Sequence, residues 1–240
     1  MSEHGRARAP AWLGDNRNLI LFLSLMLTIV LLPAFEHSPR GELLFVVVSM
    51  FIIFVAVVVN GRSRLLFWIA FALAAPALAL RGVAYFNHSE AALVWSWVLS
   101  AAVLLATVLR LLEDVFAAGA VSRDRLFACV TVYVLMGLLW CYLYAIVEEL
   151  SPGAFKGLEA SSKSLRVADL AYFSMNVVTT VALTNVLPVS RTAQMMVLLQ
   201  EFASVFYMAF VIARLVGMYS APSARSGPAG DGGATPKRGS

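Results

Sequence analysis

The sequence predicts an all-α integral membrane protein: six transmembrane helices, with a re-entrant helix and loop between helices five and six. Three observations predict it. First, 60% of the 240 residues are hydrophobic and 13% are charged, against about a quarter charged in a soluble domain. Second, six mainly apolar runs occupy 18–34, 43–60, 65–80, 91–112, 125–147 and 192–219, several near the roughly 20 residues that span a bilayer. Third, Lys and Arg alternate between loops. One side holds twelve and the other six, among them Arg40, Arg81, Lys156, Lys163, Arg166 and Arg191. Cytoplasmic loops carry the excess, so both termini are expected in the cytoplasm. That requires an even number of crossings, so 161–190 must return to the face it left.

Residues 1–17 are a cytoplasmic N-terminus with Arg6, Arg8 and Arg17. The first four runs make a four-helix membrane unit over 18–113. The third run is short and contains Pro76, which lacks a backbone donor. The fourth carries one arginine, Arg110, near its cytoplasmic end, where it can snorkel. A voltage sensor needs an arginine ladder there, so the chain is read as not voltage-gated. The fifth run holds Cys129 and Cys141. Twelve residues of helix separate them by about 18 Å, too far for a disulfide, so two buried thiols are expected. Residues 221–240 are rich in Gly, Pro and Ser and read as a disordered cytoplasmic tail. No cleavable leader is expected, since the first run ends in LLPAFE without a small-residue cleavage site.

The chemistry on offer is sparse. A net charge of +4 gives no footing for nucleic acid. Phosphate-binding glycine loops, metal-ligand Cys/His clusters and paired carboxylates in a cavity motif are missing from the sequence, so no enzyme is expected. His37 and His88 fall in outer loops near Glu36 and Glu90; exposed loop residues are the default reading, a metal or proton sensor the sharper one. Asn87-His88-Ser89 is a glycosylation triplet, in a chain whose style looks bacterial. Glu201, next to Gln200 in the last run, either faces the back of the re-entrant loop or reaches water. Phe202, Phe206, Tyr207 and Phe210 have helical spacing and read as packing.

The re-entrant segment carries the sharpest signal. SLRVADLAYFSMNVVTT reads as a short helix with Ser161, Ser162 or Ser164 as cap and Asp169 early in it. Its C-terminus would point into the membrane toward Thr179 and Thr180, and its partial negative charge suits a cation. Backbone beyond it survives at membrane depth only if protein or a water-filled cavity satisfies it.

Residues 122–219 resemble the pore module of bacterial ion-channel proteins of the potassium-channel superfamily. The matching stretches are SRDRLFACVTVYVLMGLLWCYLYAIVE, PGAF, DLAYFSMNVVTTV, VLPVSRTA and VIARLVGMY. The resemblance implies an outer helix, a pore helix, a filter loop and an inner helix from each chain of a homotetramer. It implies passive conduction of monovalent cations without a bound cofactor. The expected setting is a bacterial inner membrane. The expected partners are the lipid bilayer and further copies of the chain, with other channel subunits as alternatives.

The filter loop, Thr179 to Asn185, departs from the family. Where the family has TTVGYGD, this chain has TTVALTN. Thr180 and Val181 match; Ala182 and Thr184 replace glycines, Leu183 the tyrosine and Asn185 the aspartate. The family's glycines take left-handed angles, where a residue with Cβ costs roughly 1–2 kcal/mol. Two positions in four chains give about 8–16 kcal/mol, as much as the whole stability of a typical domain, about 5–15 kcal/mol. A standard potassium filter is therefore not expected. Tyr172 and Phe173 occupy the positions of an aromatic cuff, and Asn176 that of a bracing glutamate. Asn176 and Asn185 are a candidate hydrogen-bonded pair. Ser204 stands at a hinge position of the inner helix. Three outcomes follow: a wider pathway lined by Thr180 and Thr184 hydroxyls, a pore closed by Leu183, or a subunit that modifies intact channels. Weakly selective conduction ranks first. Glu148 and Glu149 either concentrate cations or form a solvated helix end.

Overall fold

The computed structural model describes residues 17–31, 41–59, 64–116, 123–158, 163–181 and 183–219. Among these the chain is all-helical apart from one short two-stranded ribbon. The helices are α1 (Arg17–Leu31), α2 (Gly41–Val59), α3 (Arg64–Asn87), α4 (Glu90–Phe116), α5 (Arg123–Leu150), α6 (Lys163–Thr179) and α7 (Arg191–Tyr219). Four of them, α3, α4, α5 and α7, are long and apolar enough to cross a membrane. The 15 residues of α1 rise about 22 Å, less than the ~30 Å hydrocarbon core. In α2 the described apolar stretch is Val46–Val57. The N-terminal segment before Arg17, the tail after Tyr219, Glu36, His37, Ser161, Ser162 and Ala182 lie outside the described residues.

Each apolar run yields a helix, but the third differs from expectation. Instead of stopping near 80, α3 continues through Pro76 to Asn87. The reason is Arg81, which looks like a span end in the sequence but is 2% exposed. Its guanidinium lies 5.5 Å from the centre of the Tyr142 ring on α5, a cation–π contact that lets the charge enter the bundle. His88 then takes a left-handed φ of 49° and turns the chain. Ser89 starts α4, its hydroxyl oxygen accepting from the Ala92 N–H at 3.4 Å, with Glu90 in the first turn as the helix dipole favours. Near the other end of α4, Arg110 pairs with Glu113 at 2.8 Å and Asp114 at 3.1 Å.

The central element is α5, which packs against α1, α4, α6 and α7. Asp124 in its first turn accepts from the Asn18 backbone N–H at 3.1 Å and from its side-chain amide at 2.8 Å. That bond satisfies an orphan donor at the start of α1 and sets the starts of α1 and α5 side by side. Cys129 and Cys141 are free and buried, as their spacing predicts.

After α5, β1 (Phe155–Lys156) pairs antiparallel with β2 (Leu187–Pro188), Phe155 opposite Pro188 and Lys156 opposite Leu187. Paired strands lie about 5 Å apart. Between them runs α6, 17 residues long, and the loop that follows it. The chain therefore leaves and returns at the same end of the bundle. Ser190 then caps α7, its hydroxyl oxygen accepting from the Ala193 N–H at 3.1 Å.

Candidate functional site

The loop begins where α6 stops. Thr180 has φ 58°. Its N–H donates to the Val177 carbonyl at 3.1 Å, and the Val181 N–H to the Asn176 carbonyl at 3.1 Å. This pair of bonds around a left-handed residue is a Schellman cap, a place usually given to glycine. The remaining carbonyls of the last turn are also occupied. The Tyr133 hydroxyl donates to the Val178 carbonyl, and the Thr180 hydroxyl to the Thr179 carbonyl at 2.7 Å. The helix end expected to face a cation thus has its last four carbonyls bonded within the chain.

Beyond the cap, the backbone of Leu183 is held from both sides. Its N–H donates to Asn176 Oδ1 at 3.1 Å, and its carbonyl accepts from the Tyr172 hydroxyl at 2.8 Å. Asn176 Nδ2 donates in turn to the Tyr172 carbonyl at 2.9 Å. Tyr172 and Asn176, two of the three residues read as supports, thus both bond the Leu183 backbone. Asn176 meets the Leu183 backbone rather than Asn185. The hydroxyl missing from Leu183 is replaced by that of Tyr172, donating in the opposite direction. The Leu183 side chain is 69% exposed, and Val181 and Asn185 are exposed too.

The threonine hydroxyls of the loop make local hydrogen bonds. Thr179 Oγ1 donates back to the Met175 carbonyl at 2.8 Å. Thr184 Oγ1 accepts from the Val186 N–H at 3.1 Å, a local turn of the kind Ser and Thr favour. Among the described residues with Cβ, left-handed φ occurs only at His88 and Thr180, so Thr184 avoids the strained angle its glycine counterpart would take.

The base of the loop is built differently. Glu148 is no free solvated carboxylate: its oxygens accept from the Gly153 and Phe155 N–H groups, each at 2.9 Å. Gly157 has φ 85°, and a Cβ there would lie 2.2 Å from the Asn185 carbonyl oxygen. Phe173, the second cuff residue, is buried against Tyr144 and Phe155, with ring centres 5.5 and 5.7 Å away. Lys163 opens α6 and reaches Glu149 at 2.8 Å and Glu90 at 3.0 Å. The hydrogen bond to Glu149 holds the Lys163 pKa above its ordinary value, against a smaller opposing effect of burial.

Behind the loop lies a polar network that the sequence reading missed. Gln200 is fully buried. Its Oε1 accepts from the Tyr144 hydroxyl, and its Nε2 donates to the Ser174 carbonyl at 3.0 Å and hydroxyl at 2.9 Å. The Ser174 hydroxyl donates to the Gly137 carbonyl at 2.7 Å. One chain of bonds thus ties α5, α6 and α7 together. Glu201, the neighbour the sequence favoured, is exposed. The available signal was two polar residues, Ser174 and Gln200, inside apolar helices. Ser204 is buried, its hydroxyl bonded to the Gln200 carbonyl at 2.7 Å, and α7 runs unbroken past it. Of the four aromatic residues read as packing, Tyr207 is buried and bonded to the Cys129 carbonyl at 2.6 Å. Phe202, Phe206 and Phe210 face outward.

Among the described residues no cluster of His, Cys, Asp and Glu could hold a metal ion. The chain matches no known protein-family model, no curated protein and no solved structure, so its function is argued from its own residues.

Proposed function

We propose that this chain is a subunit of a homotetrameric pore-loop cation channel of the potassium-channel superfamily, passively conducting with potassium preference weakened or lost. In this reading α1 to α5 and α7 are the six spans, and both termini lie in the cytoplasm of a bacterial cell. The observation that carries it is the β1–β2 pairing, which closes α6 and its loop into a segment that enters and leaves at one end. A second feature agrees. In α7 only 22% of the span is buried within the chain, against 61% in α5, which leaves an apolar face for other copies or lipid.

A potassium filter replaces the ion's water with backbone carbonyls. Here the Leu183 carbonyl is bonded to Tyr172 and the last carbonyls of α6 are capped. A tip built this way offers few free oxygens for a dehydrated ion, which favours passage of partly hydrated cations. A second reading, a non-conducting or regulatory subunit, is favoured by Leu183 itself. Its side chain is 69% exposed, and four copies at one mouth would obstruct it.

Flux from proteoliposomes separates the readings. Comparable potassium and sodium rates are expected. Strong potassium selectivity would overturn the account of the tip. No flux from the native chain, with flux after the combined changes Ala182→Gly, Leu183→Tyr and Thr184→Gly, would establish the regulatory reading. Silence from both would end the pore proposal.

A further inference from the structure

A cavity of about 500 Å³ opens at the end of the bundle where α6 begins, lined by Val46, Arg81, Tyr85, His88, Glu90 and Lys163 among others. That volume suits a small-molecule ligand. Its deepest charged group is Arg81, which is 2% exposed. The guanidinium cannot shed its proton, yet none of the described carboxylates pairs with it. Its one hydrogen bond, from Nη1 to the Tyr142 hydroxyl, is long at 3.4 Å, and its Nη2 has no partner. An isolated buried charge is strongly unfavourable unless paired.

The surroundings supply further unused donors. Lys163 has three N–H groups and two carboxylate partners, Glu149 and Glu90. The Ser89 hydroxyl oxygen accepts from the Ala92 N–H, which leaves its proton to give. With Glu149 counted beside Glu90, two cations and two carboxylates balance, and Arg81 is the one of the four without an oppositely charged partner. A fork of guanidinium N–H groups, an ammonium and a hydroxyl around one space match the several oxygens of a phosphate group.

We propose that this cavity binds a phosphate-bearing anion, with Arg81 as its counter-charge. The proposal does not depend on whether the chain conducts. The phosphate could belong to a lipid headgroup or to a soluble molecule, and the test distinguishes these sources.

The measurement is thermal unfolding of the purified protein in neutral detergent. Phosphatidylglycerol, phosphatidylcholine or inorganic phosphate at matched ionic strength is added to the native chain, to Arg81→Met and to Arg81→Lys. A ligand at a hundred times its Kd raises the midpoint of a protein this size by about 5–10 °C. Native protein is expected to show such a rise and Arg81→Met none. Arg81→Lys, which keeps the charge without the fork, should show less than half. A rise with phosphatidylglycerol alone identifies a lipid headgroup; a rise with inorganic phosphate as well identifies a soluble anion. Without ligand, Arg81→Met should be no less stable than the native chain, because the unpaired charge is gone. Equal shifts in native and variant proteins, or no shift with any additive, would overturn the proposal.

Discussion

The base and the tip of the segment formed by α6 and the loop after it are held by different means. The base joins elements far apart in the chain: β1 to β2, Gly157 to Asn185, and Gln200 to Ser174 and Tyr144. Much of it is buried. The tip, from Thr180 to Leu183, is held largely by one helix, through the α6 cap and the Tyr172 and Asn176 side chains. Val181 and Leu183 face outward from it. Architecture and chemistry are thus separable. The base fixes where the loop sits, and the tip can change its residues without moving the base. Substitutions should therefore be costly at the base and mild at the tip.

The largest effect is expected at Gly157. Alanine there must adopt φ 85° and place Cβ 2.2 Å from the Asn185 carbonyl oxygen and 2.9 Å from its carbon. Those are backbone atoms and cannot rotate away. The angle alone costs roughly 1–2 kcal/mol and the overpacking about 1–3 kcal/mol, so Gly157→Ala should destabilise by about 2–5 kcal/mol. Gly153 is the control: its φ is 83°, with open space around it. Gly153→Ala should lose only about 1–2 kcal/mol. Denaturant unfolding in detergent gives both numbers. Equal losses would mean that Gly157 makes no close approach and that the base is looser than described.

Next is Gln200. Replacing it with leucine leaves the Tyr144 hydroxyl buried without a partner, at about 1–3 kcal/mol. Removing that hydroxyl too should return part of the loss, since deleting both partners is nearly neutral. Gln200→Leu combined with Tyr144→Phe is therefore expected to be more stable than Gln200→Leu alone. A simple sum of two losses would show that the two residues do not act as a unit.

The helices that meet at the base could be anticipated from residue type, but not the contacts that hold it. The apolar runs place α4, α5 and α7 closely, and the mixed polarity of 161–190 marks the returning segment. Arg81 reads as the end of a span because it is one charge in an apolar run; inside the bundle the facing ring of Tyr142 offsets only part of the cost of burying it. Gln200 was overlooked for Glu201 because a carboxylate draws attention and an amide does not. Adjacent helical residues point about 100° apart, and α7 is apolar all round, so no stripe indicates which of the two faces inward. At the tip, Tyr172 and Asn176 could be singled out by position, but their partners could not, and Phe173 packs at the base instead. Which loop atom meets Asn176 depends on how the chain turns after α6, and that turn is set by a left-handed threonine that no propensity would suggest.

That threonine gives the smallest effect and the one with opposite sign. A β-branched residue at φ 58° is a true outlier, costing roughly 1–2 kcal/mol against glycine in the same conformation. Glycine returns part of this, because its unfolded chain has more freedom to lose, by about 0.4–1 kcal/mol. Thr180→Gly should therefore stabilise, by at most about 1.6 kcal/mol and by about 0.8 kcal/mol at the middle of these ranges. Thr180→Val keeps the branch and removes only an exposed hydroxyl whose bond is to the adjacent carbonyl, so it should leave stability almost unchanged. The pair separates backbone strain from hydrogen bonding. If glycine destabilises and valine does so equally, the hydroxyl is what holds the tip and the cap is not strained. If glycine alone stabilises, the native chain keeps a threonine here against its own stability, and flux measured on Thr180→Gly would then show what that residue is kept for.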